Sequence, residues 1–186
     1  MPATPTGSTA DVQAFRGEFV DFAGDPATLG EAAHRHFLDG LLVVRDGRVS
    51  ALGPAAELLA TLPSAAALTD YRGKLILPGF VDTHVHYAQT DIIASYGAQL
   101  LEWLERYTFP AEARFDAEDH AREVAEFFLG ELLRNGTTTA MVFATTHSNS
   151  VDAIFEAARA RSMRLIAGKV LMDRNVPEAV RDTADS

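Results

Sequence analysis

Residues 82–89 read DTHVHYAQ. Two histidines, His84 and His86, stand one residue apart, and Asp82 precedes them. Neutral imidazole is a good ligand for zinc or iron, and two imidazoles on one face can share a cation. Along an extended chain side chains alternate between faces. Asp82, His84 and His86 are therefore expected to point one way, and Thr83 and Val85 the other. The same spacing fits two polar residues where a strand leaves the core. A catalytic zinc normally takes three protein ligands and a water, so two histidines alone do not make one. Spacing by itself leaves both readings open.

The elements around the pair narrow the choice. An apolar run, KLILPGFV (74–81), leads into it, and residues 80–86 read as a short strand. Residues 99–107 read as a short helix. A longer helix follows, with Asp116 as its cap, Ala121, Val124, Phe128 and Leu132 at helical period, and Asn135-Gly136 as its stop. TTTAMVFAT (137–145) reads as a buried strand, 151–161 as a helix and RLIAGKVLM (164–172) as a third strand. Alternating strands and helices imply parallel pairing by right-handed crossovers. Parallel sheets place their sites at the carboxyl ends of strands, where His84 and His86 fall. The fold class is α/β, with an open doubly wound sheet and a closed (β/α)8 barrel as alternatives. A barrel typically needs ~250 residues, and about 105 follow Phe80. In a barrel, residues 76–186 are the first three β/α units, and the chain is read as a fragment.

Residues 11–75 read as a small antiparallel β module, part of a β-sandwich. Phe15, Phe19 and Phe22 lie among β-formers, Asp46-Gly47 is a hairpin turn, Pro54 opens a short helix and Arg72-Gly73 is a second tight turn. Residues 1–10 read as a disordered lead-in without the apolar stretch of a secretory signal.

The bulk numbers exclude several functions. With 26 acidic against 16 basic residues, net charge is -10, so no nucleic-acid surface is expected. No run reaches the ~18–20 apolar residues that span a bilayer, and no membrane partner is expected. There are no cysteines, so a metal must be held by imidazole and carboxylate, and a reducing, cytoplasmic setting fits. Of the other histidines, His34 and His36 read as surface residues before the β module. His120 reads as solvated, and His147 as a loop or helix-cap residue on the same rim as His86. Leu100, Trp103, Leu104 and Tyr107 read as a packing stripe, with a subunit contact as its expected setting, rather than a stacking platform.

LPGFVDTHVH (77–86) resembles the first-strand signature of the amidohydrolase superfamily, metal-dependent hydrolases on a (β/α)8 barrel preceded by part of a small β-sandwich. NGTTTAMVF (135–143) is similar to the second strand of its deaminase branch. The segment 86–115, HYAQTDIIASYGAQLLEWLERYTFPAEARF, resembles the guanine deaminases, and FATTHSNS and GKVLMDRNVPE continue the similarity. The resemblance covers roughly residues 15–186 and is specific across 75–115.

That resemblance implies a zinc, or alternatively iron, held in part by His84 and His86. It implies a purine pocket with His86, the Tyr87-Ala88 backbone and Gln89 around guanine. A strand-capping role is the other reading of Gln89. The implied reaction is hydrolytic deamination of guanine to xanthine, by a homodimer when full length. The family also has two further histidines, a catalytic glutamate, a metal-binding aspartate and an arginine-phenylalanine pair, all on later strands. No catalytic residue is therefore assigned within this chain, which alone is expected to be inactive. Two other readings remain: an amidohydrolase acting on another aminated heterocycle or cyclic amide, and a non-catalytic scaffold of the same fold.

Overall fold

A computed structural model describes residues 11–97 and 99–183. The expected lead-in, 1–10, lies outside the described residues. The chain divides into two units, Met1–Pro78 and Gly79–Ser186.

In the first unit, β1 (Val12–Phe22), β2 (His34–Arg45), β3 (Arg48–Pro54) and β4 (Ala67–Ile76) form one sheet in the order β3-β2-β1-β4. The hairpin between β2 and β3 turns at Asp46 and Gly47, with φ of 51° and 73°, as a two-residue primed turn requires. Helix α1 (Pro26–Leu29) is capped by Asp25, whose carboxylate accepts the Ala27 N–H at 2.9 Å. Helix α2 (Ala55–Leu58) follows Pro54 as expected. Val12, Ala14, Leu41, Val43 and Ala55 make the core.

Three expectations for this unit need correction. The sheet is mixed, because β4 runs parallel to β1. Arg72-Gly73 is a wide bulge within β4. Pairing steps from Arg16↔Asp70 to Glu18↔Leu75, so β4 advances five residues against two of β1. Gly73 takes φ of 81° there. Opposite, a Cβ on Gly17 would lie 3.1 Å from Ile76 Cδ1 and 3.3 Å from two backbone oxygens, so a side chain there would crowd the bulge. Finally, His34 and His36 belong to β2 and do not precede the module. Both are exposed, and His36 Nε2 sits 2.8 Å from Glu18 Oε1. The described residues of this unit form a single sheet, whereas a sandwich requires two.

In the second unit, β5 (Phe80–His86), β6 (Thr137–Phe143) and β7 (Arg164–Gly168) are parallel and lie in sequential order. Helices α5 (Glu118–Arg134) and α6 (Ser148–Ala160) are the crossovers. Ala121, Val124, Ala125, Phe128 and Leu129 of α5 and Ala153, Ile154, Ala157 and Ala158 of α6 pack with Ala140 and Val142. Val85, Leu165 and Ala167 join the same cluster. Both crossover helices therefore cover one face of the sheet, whereas a doubly wound sheet carries helices on both. The other face presents Met141, Phe143 and Ile166, 43%, 39% and 56% exposed. Strand β6 is accordingly buried on one face only, not throughout, and ends two residues earlier than its composition indicates.

The segment between β5 and α5 is more helical than expected. A 3-10 turn (Tyr87–Ile92) leads to α3 (Leu100–Trp103), a π-helical turn (Leu104–Thr108), α4 (Phe109–Ala113) and another 3-10 turn (Arg114–Asp116). Asp116 does not cap α5. The cap position is Ala117, which offers no side-chain acceptor. Asn135 and Gly136 (φ 86°) end the helix as expected.

Candidate metal centre

β5 is not a regular strand. Asp82 pairs with Ala140 and Val85 with Val142, so three steps of β5 answer two of β6. The extra residue makes a bulge at Thr83-His84 and takes Asp82 out of phase with His84. Asp82 instead supports the bulge from within: its Oδ1 accepts the His84 N–H at 3.0 Å.

The bulge leaves His84 and His86 converging. Their Nε2 atoms are 3.2 Å apart. Phe143, paired with His86 across the sheet, stacks on that imidazole at 4.6 Å and 10°, and its ring lies 5.0 Å from His84. Burial, and then the neighbouring His84 ring, hold the His86 pKa below its ordinary value. The neutral form, which offers a lone pair, is thereby favoured.

Gln89 Nε2 lies 3.3 Å from His86 Nδ1. Glu112, on α4, is 7% exposed, and its pKa is raised by burial against the opposing effect of the Gln89 amide. The next residues inward, Tyr87 and Ala88, are buried. The Tyr87 ring meets Phe115 edge-on at 5.2 Å and Phe128 at 5.9 Å, and its hydroxyl donates to the Ser150 carbonyl. Burial pushes the Tyr87 pKa upward. The side chains of Tyr87 and Ala88 thus turn into the core.

Ser150 closes a buried polar knot at the end of β6. Its Oγ donates to the His147 carbonyl at 2.7 Å and accepts from Thr145 N and Oγ1 at 3.1 and 2.9 Å. Thr145 Oγ1 in turn accepts the His147 N–H at 3.1 Å. The knot fixes the loop that starts α6, while the His147 ring leans toward Asp116, 3.9 Å away. His147 holds the cap position of α6, but its side chain caps nothing.

A cavity of about 520 Å³ opens beside the pair, with His84, His86, Gln89, Ile92, Trp103 and Phe128 in its wall. Trp103 is thus a wall residue, and Leu100, 68% exposed, does not extend a packed stripe. His120 is not solvated: its ring packs on Phe115 at 4.8 Å, and Arg114 Nη2 is 3.3 Å from its Nδ1.

The donor set fits part of a metal site. Two imidazoles bound at about 2.0–2.1 Å with tetrahedral angles have nitrogens roughly 3.3 Å apart. The observed separation also suits a hydrogen bond between one protonated and one bare nitrogen. Among the described residues no group of three His, Asp or Glu side chains converges on one point. Glu112 and Phe143 escaped sequence reasoning. Glu112 sits within YTFPAE, where an acid beside apolar residues was the available signal, whereas Phe143 needs the β5–β6 register.

Residues 75–186 match the model of the amidohydrolase family. The chain is 49% identical over 178 residues to guanine deaminase of Escherichia coli (strain K12), covering 94% of this chain and 40% of that one. A solved structure of E. coli guanine deaminase superposes with a TM-score of 0.88 at 50% identity, over 94% of this chain and 41% of that one. Guanine deaminase from C. acetobutylicum, solved with bound guanine in the active site, superposes with a TM-score of 0.75 at 29% identity, over 92% and 39%. The chain thus spans about 40% of the length of these relatives.

Proposed function

We propose that this chain, which belongs to the amidohydrolase family, contributes one part of a site that deaminates guanine. The observation that carries the reading is the convergence of His84 and His86 Nε2 at 3.2 Å, beside a cavity walled by Gln89. The 49% identity to the E. coli guanine deaminase supplies the substrate. The sequential order of β5, β6 and β7, with both helices on one face, supports their assignment as the first three strands of a (β/α)8 barrel. The first unit is assigned to a β-sandwich completed by other residues. We assign the enzyme to the cytoplasm as a homodimer. No described helix is long and apolar enough to cross a membrane.

His84 and His86 are the protein ligands this chain supplies to a single zinc, with iron(II) as the second choice. When bound, the cation supplies the Lewis acidity that makes water nucleophilic near neutral pH. Phe143 and the bulge hold both rings in place. Gln89 presents an amide, one acceptor and two donors, to the edge of the purine, next to the Tyr87-Ala88 backbone. Trp103 and Phe128 wall the cavity with apolar surface and keep bulk water from the base. The overall change replaces the exocyclic amine at C2 by oxygen from water, giving xanthine and ammonia. The remaining ligands and the proton-transferring carboxylate come from outside these 186 residues.

The test is turnover by the full-length enzyme. Loss of guanine absorbance with one ammonia released per base supports the assignment. A folded, metal-loaded enzyme that turns over cytosine or an aminotriazine but leaves guanine untouched overturns it.

A further inference from the structure

The Gln89 amide lies against the His86 ring, 3.3 Å from Nδ1, the ring nitrogen that does not face His84. Gln89 is the third residue of the 3-10 turn Tyr87–Ile92, and His86 immediately precedes that turn. Residues three apart eclipse one another in such a turn, which brings the amide back over the ring. Phe143 stacks on the same ring at 4.6 Å and 10°. Stacking fixes the plane of an imidazole but not which way round it sits. A half-turn about the Cβ–Cγ bond keeps the plane, exchanges the places of Nδ1 and Cδ2, and brings Cε1 to the convergence point instead of Nε2. A polar group at Nδ1 distinguishes the two settings, and Gln89 supplies it. We infer that Gln89 is a positioning residue for His86: it keeps Nε2 at the convergence with His84 and receives the Nδ1 proton when Nε2 holds a cation.

An amide suits this duty. A neutral imidazole that offers Nε2 to a cation carries its proton on Nδ1. The oxygen of Gln89 can accept that proton and its nitrogen cannot. The two ends are nearly alike in shape, so a half-turn of the amide serves either state of Nδ1 without moving the turn. With nitrogen toward a bare Nδ1, the His86 proton sits on Nε2 and faces His84 Nε2 at 3.2 Å. With oxygen toward a protonated Nδ1, His86 Nε2 keeps its lone pair for the cation. The amide nitrogen is then the end left for a ligand in the cavity that Gln89 lines. The backbone beneath is pinned on both sides of Gln89. The Tyr87 hydroxyl donates to the Ser150 carbonyl, and the Thr90 hydroxyl donates to the Tyr87 carbonyl at 2.6 Å. One side chain thus ties the setting of a metal ligand to the face offered to the base.

The inference rests on the reading of this chain as part of a metal-dependent deaminase, and the experiment separates the two. Zinc affinity of the full-length enzyme is measured by chelator competition with no base present, so guanine plays no part in it. Gln89→Leu keeps much of the side-chain volume without a polar end and should weaken zinc about tenfold. Gln89→Ala carries the same expectation if the leucine variant does not fold. Gln89→Glu restores an acceptor at Nδ1 and should bind zinc within about threefold of the unsubstituted enzyme, or tighter. That rescue separates support of the ring from loss of packing. A Gln89 that served the base alone would raise KM and leave zinc affinity where it was. Unchanged affinity in the apolar variants, with zinc lost in His86→Ala, therefore overturns the inference and leaves the ligand assignment in place. A loss that a folded Gln89→Glu enzyme fails to repair overturns it as well. Weakened zinc repaired by glutamate, in an enzyme that leaves guanine untouched, removes the substrate assignment and leaves the Gln89–His86 link standing. An unsubstituted enzyme that binds no zinc overturns both.

Discussion

The ring of Phe143 lies 4.6 Å from that of His86, with the two planes 10° from parallel. The stack comes from the pairing of β5 and β6, which sets the two residues side by side on the same face. This phenylalanine is 39% exposed, so its removal leaves no large internal void. Phe143→Ala should therefore unfold little but free the imidazole to rotate. We expect metal affinity to fall about tenfold, the low end for lost support of a ligand. Chelator competition on the full-length enzyme reads this directly, and unchanged affinity contradicts the positioning role.

Loss of either histidine is more severe. His84→Ala and His86→Ala each remove one of the two nitrogens at the convergence point. Because His84 is exposed and His86 half-buried, neither change opens a core cavity. Elemental analysis should show the bound metal falling from about one ion per chain toward none, with the circular dichroism spectrum retained. Full metal content in either variant rules the pair out as ligands.

Tyr87→Phe removes a hydroxyl while keeping the ring between Phe115 and Phe128. The Ser150 carbonyl, which also belongs to the ladder of α6, then loses its second donor in a fully buried position. The cost should be ~0.5–1.5 kcal/mol, the net worth of one hydrogen bond, because the carbonyl keeps its helical donor. Urea unfolding measures it, and metal affinity should be unmoved.

Glu112 gives a pH signature. Burial raises its folded-state pKa above the ordinary 4.5, so between those two values the folded chain binds more protons than the unfolded one. Stability contributed by this group therefore declines as pH rises from about the ordinary value through the raised one, and is level beyond it. Glu112→Gln does not ionise. The stability of that variant relative to the unsubstituted enzyme should grow across the same interval, as read by urea midpoints at successive pH values. A constant difference argues against the raised value.

Local features carried much of this in the sequence. Asp46-Gly47 marked its hairpin because two left-handed positions in a row have few other uses. Ala121, Val124 and Phe128 marked the buried face of α5 by their period. His84 and His86 marked the candidate site because a two-residue spacing on a strand end is itself local. Features set by register between distant segments were hidden. The parallel docking of β4 on β1, with its five-against-two step, depends on pairing across some fifty residues. Neither the Thr83-His84 bulge nor the Phe143 stack can be read without the β5–β6 register. Asp116 had the composition of a cap, but the 3-10 turn ending there moved the helix start by a residue. His120 looked solvated because its helix is charged, and Phe115, five residues earlier, could not be seen folding over it.

The Tyr87–Ser150 bond joins a turn that bears the candidate purine contact to a helix that bears no ligand at all. The transplantable unit for protein engineering is therefore larger than the string HVHYAQ. Moving the histidine strand into another parallel sheet without the Thr145–Ser150 loop would deliver the two imidazoles but leave the turn after them unanchored. A graft that carries both segments, with β6 between them, should keep its amide where a base can find it.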